Sequence, residues 1–256
     1  MAPQGNRRAP VHVAVRYGTA ELRPDPDRPQ GWTLLVDGVP QSYVDLSDPG
    51  HLEFPYAKLL GRVVRMKTAR HVLHLGGGAL MIPRMLAHLR PRTEQLVIER
   101  DPELLGLVRM YLPYPDSIEV RLADARAALD QAAPQAYDLI VADAFQGAAM
   151  PATVGTSEFA AAARRALRPD GLLAMNLTDI PPLAQTRIQA ATARSVFDEV
   201  ALFGESAILR GRRAGNIILL AGHIPVMRSG KDERVVGGTD LAEFIGGAKA
   251  RLDEPG

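Results

Sequence analysis

Three consecutive glycines and four carboxylates that follow apolar segments are the residues of this sequence most able to do chemistry. The glycines Gly76–Gly78 come directly after the apolar run His71–Leu75. Glycines between a strand and a helix let the backbone approach a nucleotide closely. A dinucleotide-binding loop follows G-x-G-x-x-G/A, whereas Leu80 and Met81 come next here. The loop therefore predicts a mononucleoside site rather than a pyrophosphate cradle.

Two of the carboxylates could bind such a nucleoside. Glu99 comes 21 residues after Gly78, at the end of a second apolar run, and could accept hydrogen bonds from both ribose hydroxyls. Asp124 follows a third run and could accept a hydrogen bond from the exocyclic amine of adenine. Either acid could instead start a helix, and both interpretations stay open.

The other two carboxylates have different expected roles. Asp101 precedes Pro102, which suits the first position of a helix, so Asp101 is predicted to be a helix N-cap. Asp143 ends the apolar run that begins at Tyr137. A carboxylate there is costly unless it has a partner, and ligands of open α/β sheets lie beyond the carboxyl ends of the strands. We therefore expect Asp143 to belong to the site.

The elements that would position these residues alternate between strand and helix from His71 to Ala221. The pattern predicts an α/β fold: a Rossmann-like, S-adenosylmethionine-type, mostly parallel seven-stranded sheet that ends in an antiparallel hairpin. Residues 11 to about 45 instead predict a small antiparallel β extension. The expected domains are an N-terminal β extension (1–52), a nucleoside-binding catalytic domain (53–226) and a C-terminal tail (227–256) with one helix at Leu241–Arg251.

Composition excludes several classes of protein. The 256 residues carry a net charge of +1, which gives no general attraction for nucleic acid or anionic membranes. Cysteine is absent, which removes disulfides and thiolate chemistry, and His71 and His74 point to opposite faces of a strand, so no metal site is predicted. No apolar stretch reaches the length of a membrane span, and the opening residues lack a signal-peptide core. We expect a soluble cytoplasmic protein.

Several short motifs follow one another between Asp37 and Ala221. They are Asp37-Gly-Val-Pro-Gln-Ser42, Phe54-Pro-Tyr-Ala57, Gly76-Gly-Gly-Ala-Leu-Met-Ile-Pro-Arg84, Val97-Ile-Glu-Arg-Asp101, Asp124-Ala125, Tyr137-Asp-Leu-Ile-Val-Ala-Asp143 and Arg212-Arg-Ala-Gly-Asn216. Each motif alone is weak evidence. Their order and spacing together resemble the spermidine synthases, or polyamine aminopropyltransferases, and especially their bacterial spermidine synthase-like relatives.

The resemblance implies transfer of an aminopropyl group from decarboxylated S-adenosylmethionine to an amine, with no tightly bound cofactor. It implies that Asp143 is the catalytic aspartate, whose carboxylate takes the proton of the amine. It also implies that Gln41, Tyr56 and Gln146 line the amine pocket. It implies that the nucleoside contacts Gly76, Gly77, Gly78, Glu99, Asp124 and Ala125. It also implies a homo-oligomer, a dimer or tetramer, joined partly through the β extension.

The sequence departs from the family pattern at three places. Ala79 stands where the family loop has an aspartate that engages the ammonium of the donor, and Gln146 stands where the family has a second acid. The segment Tyr56–Lys58 replaces polar or acidic family residues with a methyl group and a cation. These replacements therefore leave few negative charges to bind a dication such as putrescine. Without the aspartate, intact S-adenosylmethionine is expected to bind about as readily as the decarboxylated form.

Two alternatives to aminopropyl transfer stay open. The chain could be an S-adenosylmethionine-dependent methyltransferase on the same sheet, an interpretation that Ala79 and the missing second acid favour. It could also be a non-catalytic nucleoside-binding homologue that keeps the glycine loop and has lost the amine chemistry.

Overall fold

The computed structural model describes residues 8–144 and 150–254 of the chain. These residues form two β-sheets that are connected through helix α1 (Pro55–Met66). None of the helices in the two ranges is long and apolar enough to cross a membrane.

The first sheet is an antiparallel meander, which confirms the predicted β extension. Its strands, in spatial and chain order, are β1 (Val11–Val15), β2 (Gly18–Pro24), β3 (Gly31–Val36) and β4 (Val39–Asp45). Trp32, Leu34 and Val44 of this sheet share an apolar cluster with helices α2 (Met81–Leu89) and α3 (Pro102–Tyr111). The small sheet is thus held against the larger unit by a common core.

The second sheet has eight strands in the order β12-β10-β11-β9-β8-β5-β6-β7. Its strands are β5 (His71–Leu75), β6 (Glu94–Glu99), β7 (Ile118–Leu122), β8 (Tyr137–Ala142), β9 (Leu167–Asp179), β10 (Val200–Glu205), β11 (Gly215–Gly222) and β12 (Glu233–Gly237). The five neighbouring strands β9, β8, β5, β6 and β7 pair in parallel. The pairs β9–β11, β11–β10 and β10–β12 are antiparallel. The predicted α/β class and the terminal hairpin β10–β11 are confirmed.

Helices cover both faces of this sheet, so its central strands are apolar throughout, as buried parallel strands usually are. The remaining helices are α4 (Ala125–Asp130), α5 (Ser157–Ala166), α6 (Ala184–Arg194), α7 (Ser206–Leu209) and α8 (Gly238–Ile245), with a 3₁₀ turn at Ala152–Val154. Strand β8 shows the pattern most clearly, because Leu139–Ala142 is completely buried.

The sheet has one strand more than the seven that the sequence predicted. The extra strand, β12, lies in the segment that we expected to be a tail, and it pairs with β10 at the edge of the sheet. Its two valines are flanked by charges and glycines, a pattern too short to predict a strand. Helix α8 begins and ends earlier than predicted. It ends at Ile245 because the next two residues, Gly246 and Gly247, take left-handed backbone conformations.

The position of the site follows from the strand order. Strand β5 lies between β6 and β8, so the chain runs outward through β6 and β7 and then returns to the other side of β5. Such a reversal opens a crevice at the carboxyl ends of the strands. The Gly76 amide donates to the Ile98 carbonyl at 3.0 Å, and the Asp143 amide donates to the Leu75 carbonyl at 2.9 Å. The first bond joins the loop after β5 to the end of β6, and the second joins the loop after β8 to the end of β5.

Arg84 fixes the start of α2 from inside the protein. Its side chain is 4% exposed, and its guanidinium donates to the carbonyls of Ala79 (2.9 Å), Pro113 (2.7 Å) and Leu112. Burial lowers the pKa of Arg84 to about 10. The residue ties the glycine loop to the segment that follows α3.

We expect Arg84→Ala to lower the free energy of unfolding by about 3 kcal/mol, because it leaves buried carbonyls without donors. Urea denaturation measures the change. The control is Arg109→Ala on α3, an exposed position, for which we expect a change within about 0.5 kcal/mol. Equal effects of the two substitutions would contradict the structural role of Arg84.

Candidate active site

A cavity of about 330 Å³, here called the strand-end pocket, lies between the carboxyl ends of the large sheet and the N-terminal sheet. A volume of this order suits a small organic ligand. Its described lining includes the predicted nucleoside residues, Asp143, Gln41 and Tyr56. The structure therefore brings these sequence-predicted residues together around one cavity.

The three glycines are required by close contacts with neighbouring groups. Gly76 has a φ of 100°, and a Cβ there would lie 2.5 Å from the carbonyl oxygen of Asp143. A Cβ on Gly77 would meet the Glu99 carboxylate at 3.0 Å, and one on Gly78 would meet the Ser42 hydroxyl at 2.7 Å. Because the contact at Gly76 is with backbone, a side chain there would push the loops after β5 and β8 apart. At Gly77 and Gly78 the Glu99 and Ser42 side chains would have to shift.

Glu99 lies in the pocket wall, where its carboxylate binds four backbone amides. Oε2 accepts from Gly77 (3.0 Å) and Gly78 (3.2 Å), and Oε1 accepts from Arg100 (2.8 Å) and Asp101 (2.9 Å). A carboxylate has about four acceptor positions, so these amides occupy its capacity. Glu99 thus organises the glycine loop itself, a role that sequence reasoning missed.

The carboxylates of Asp101 and Asp124 both cap the start of a helix. The amide of Leu104 donates to Asp101 at 2.9 Å, which confirms the predicted N-cap of α3. Asp124 caps α4 by accepting from the Ala127 amide at 3.0 Å, and it also lines the strand-end pocket, as does Ala125. Because the cap uses Oδ1 of Asp124, the two interpretations of this residue are compatible.

Asp143 lines the pocket and lies directly after β8. Burial raises the pKa of its carboxyl to about 6, although Nδ2 of Asn176 donates to Oδ1 at 2.8 Å and works in the opposite direction. A carboxyl with this pKa is largely ionised at neutral pH and still able to take a proton. Such a shifted acid in a cleft is typical of a catalytic group.

Tyr56 and Gln41 form the wall that faces Asp143 from the N-terminal side. The Tyr56 hydroxyl donates to the Gln41 carbonyl at 3.2 Å. Burial and the negative charge of Asp143 raise the pKa of Tyr56 far above its usual value, so the hydroxyl keeps its proton. The third residue predicted for the amine pocket, Gln146, lies outside the described residues.

Ala79 is absent from the described lining of the pocket. Its side chain is 1% exposed and belongs to the apolar cluster that contains Trp32 and Val44. Its amide donates to the Ser42 hydroxyl at 3.3 Å. The position where the resembling family has an aspartate is therefore occupied by a methyl group that packs against the N-terminal sheet.

Sequence reasoning also missed two groups of pocket residues. The first group, at the ends of β9 and β11, is Asn176, Thr178 and Asn216. The one sequence signal for Asn176 is that a polar amide interrupts an otherwise apolar strand. The guanidinium of Arg100 lies 3.9 Å from the centre of the Tyr17 ring, and both residues line the pocket. This cation–π contact joins the N-terminal sheet to the end of β6.

Two curated proteins are similar to part of this chain. The polyamine aminopropyltransferase of Vibrio vulnificus is 32% identical over 164 residues, 61% of this chain and 53% of that protein. The N-terminal histidine N-methyltransferase of Emericella nidulans is 31% identical over 115 residues, 43% of this chain and 21% of that protein. The chain thus spans about half the length, or less, of the curated relatives that it matches.

A solved structure is similar over nearly the whole chain. The crystal structure of a probable spermidine synthase from Corynebacterium glutamicum is 28% identical, with a TM-score of 0.90, covering 97% of this chain and 98% of that one. The fold is that of a Rossmann-like, methyltransferase-type α/β protein. The spermine/spermidine synthase domain matches residues 53–200, more than half of the sequence, and the chain belongs to this family.

The glycine loop can be tested with a matched pair of substitutions. We expect Gly76→Ala to lower the free energy of unfolding by about 2 kcal/mol, because the backbone there is left-handed and the new Cβ would contact the Asp143 carbonyl. The substitution should also abolish binding of the nucleoside methylthioadenosine. Thermal unfolding and calorimetry measure the two effects. In the control, Gly106→Ala in α3, the new methyl meets no atom within 4 Å and should stabilise the helix by about 0.5–1 kcal/mol. Unchanged nucleoside affinity in Gly76→Ala would show that the loop is not the binding site.

Proposed function

We propose that this protein transfers an aminopropyl group from decarboxylated S-adenosylmethionine to an amine acceptor. Family membership and the similarity to a polyamine aminopropyltransferase support the reaction class. The observation that carries the proposal is the position of Asp143, a carboxyl of raised pKa that adjoins the glycine loop in the same pocket.

The adenosine part of the donor is assigned to the glycine loop, Glu99, Asp124 and Ala125. Oε1 of Glu99 keeps its two amide donors, and binding of the ribose hydroxyls requires that they replace the amides of Gly77 and Gly78 at Oε2. Asp124 accepts from the adenine amine through Oδ2, since Oδ1 caps α4. The sulfonium then lies on the Asp143 side of the glycines.

The chemical step needs a neutral amine. An alkylamine has a pKa of about 10, so it is mostly protonated at neutral pH and has no free electron pair. The Asp143 carboxylate takes one proton from it. The nitrogen lone pair then forms a bond with the propyl carbon attached to sulfur, and the C–S bond breaks with its electron pair on sulfur. Methylthioadenosine leaves as a neutral thioether, and Asp143 releases its proton to solvent.

Most of the acceleration should come from position. The sulfonium already provides a good leaving group, and holding nitrogen and carbon in line is worth up to about 7–11 kcal/mol. The hydrogen bond from Asn176 orients Asp143, and Tyr56 closes the opposite wall. Proton transfer to a positioned base adds roughly 10²–10⁴ in rate.

The raised pKa of Asp143 predicts the pH at which kcat/KM begins to fall on the acidic side of the pH profile. Because the fold favours the protonated carboxyl, the carboxylate is lost as the pH falls through about 6, instead of near 4 as for an ordinary aspartate. We expect kcat/KM to fall tenfold per pH unit below about 6 and to be flat from there toward the pKa of the amine. Steady-state rates between pH 4.5 and 9 measure the profile, with circular dichroism as the control for unfolding. A profile that stays flat from pH 6 down to about pH 4.5 would contradict the role of Asp143.

Identifying the product tests the proposed function directly. With decarboxylated S-adenosylmethionine and a set of primary amines, mass spectrometry should detect methylthioadenosine. Asp143→Asn should lower turnover by roughly 10²-fold or more and leave methylthioadenosine affinity within about threefold, whereas exposed Asp116→Asn should change neither. Formation of S-adenosylhomocysteine from intact S-adenosylmethionine would instead show a methyltransferase. Binding without either product would show a non-catalytic homologue.

A further inference from the structure

The strand order arranges the polar residues of the pocket along one line. From β7 the line runs through Asp124, Glu99 and the glycine loop to Asp143 after β8, and then reaches β9 and β11. Neighbouring strands are about 4.8 Å apart, so the pocket continues roughly 10 Å beyond Asp143 on the side away from the nucleoside. An acceptor whose nitrogen meets Asp143 extends its other end toward β9 and β11.

Three neutral residues occupy this acceptor side. Asn176 and Thr178 lie two residues apart on β9, and Asn216 is paired with Thr178 across β9 and β11. Nδ2 of Asn216 donates to Oδ1 of Asn176 at 3.1 Å and to the Thr178 hydroxyl at 3.0 Å. Nδ2 of Asn176 in turn donates to Asp143. The three side chains form one hydrogen-bonded chain that ends on the catalytic acid.

This chain leaves defined hydrogen-bonding capacity for a ligand. Both Nδ2 hydrogens of Asn216 are used, and among the described residues its Oδ1 accepts no hydrogen bond, so it can serve as an acceptor. The Thr178 oxygen accepts from Asn216, and its hydrogen is donated to none of the residues in 8–144 and 150–254, so it can serve as a donor. One acceptor and one donor side by side match a hydroxyl or an amide, each of which both donates and accepts.

Charge divides the described lining of the pocket into two halves. Glu99, Asp101 and Asp124 lie on the nucleoside side of Asp143, whereas the described lining residues of β9 and β11 carry no carboxylate. The N-terminal sheet contributes apolar residues such as Val36 and Val39 and also the polar Gln41 and Ser42 to the lining. A second ammonium group near Thr178, which is exposed, would keep part of its hydration but would gain no opposite charge from the residues of β9 and β11 that line the pocket.

Building on the proposed function, we infer that the acceptor is an amine with a single cationic nitrogen and a neutral hydrogen-bonding group at its other end, which Thr178 and Asn216 hold. An amino alcohol is the simplest member of this class. The reacting nitrogen loses its proton to Asp143 and forms the C–N bond as described above, while the distal hydroxyl donates to Asn216 and accepts from Thr178. The same residues select against a diamine.

A pair of acceptors of equal length tests this specificity. With decarboxylated S-adenosylmethionine as donor, we expect kcat/KM for 4-amino-1-butanol to exceed that for putrescine roughly tenfold or more. The two molecules differ only in whether the distal group is a neutral hydroxyl or an ammonium. Equal values, or a preference for putrescine, would overturn the inference while leaving the aminopropyl transfer itself established.

Variants on the acceptor side provide the matched controls. Asn216→Asp places a carboxylate at the distal end and should shift the ratio of the two kcat/KM values at least about tenfold toward putrescine. Thr178→Val should remove the preference for the amino alcohol, and Thr178→Ser, which restores a hydroxyl, should recover it. If the ratio is the same in all three variants and the unsubstituted protein, these residues do not contact the acceptor.

A binding measurement separates this inference from the proposed function. If no amine yields methylthioadenosine, the proposed reaction fails. Calorimetry of 4-amino-1-butanol and putrescine with the protein saturated by methylthioadenosine then decides the specificity alone. Tighter binding of the amino alcohol, lost in Thr178→Val and regained in Thr178→Ser, supports the acceptor class. Tighter binding of putrescine, or no binding of either amine, overturns it.

Discussion

The close approach of Gly76 to the backbone of Asp143 is the constraint on which the site depends. Because Gly76 has no side chain and a left-handed backbone, the loops after β5 and β8 approach to a distance that even a methyl group would prevent. The contact makes the glycine loop and Asp143 parts of one pocket. Glu99 adds the second restraint, since its carboxylate holds the loop by the amides of Gly77 and Gly78. The two restraints thereby place the proposed nucleoside-binding loop beside the proposed proton acceptor.

The sequence predicts the frame of this site better than its acceptor side. Strands such as β5 and β8 are recognisable because they are apolar on both faces, and acids or glycines at their carboxyl ends must converge in a parallel sheet. Asn176 and Asn216 are about 40 residues apart and meet only because β11 pairs with β9. The contact between Tyr17 and Arg100 likewise depends on how the N-terminal sheet packs. Pairing and packing of this kind carry no local sequence signal, and β12, a short edge strand, was missed for the same reason.

One difference from the family pattern, Ala79, lies in the turn that leads into α2. Leu80, the next residue of this turn, has a φ of 61° and is only 1% exposed. The left-handed conformation costs a side-chain-bearing residue roughly 1–2 kcal/mol, an amount that burial of a leucine offsets. Ala79 and Leu80 both pack into the cluster shared with the N-terminal sheet. The turn thus makes apolar contacts at the position where the resembling family has an aspartate.

The central claim is that one pocket holds an adenosine group over the glycine loop with Asp143 beyond its sulfur end. A crystal structure of the protein with methylthioadenosine tests this most directly. The account predicts the ribose hydroxyls within hydrogen-bond distance of Glu99, the adenine amine at Asp124 and the thioether sulfur facing Asp143. A nucleoside bound elsewhere, or bound in the pocket with its sulfur directed away from Asp143, would contradict it.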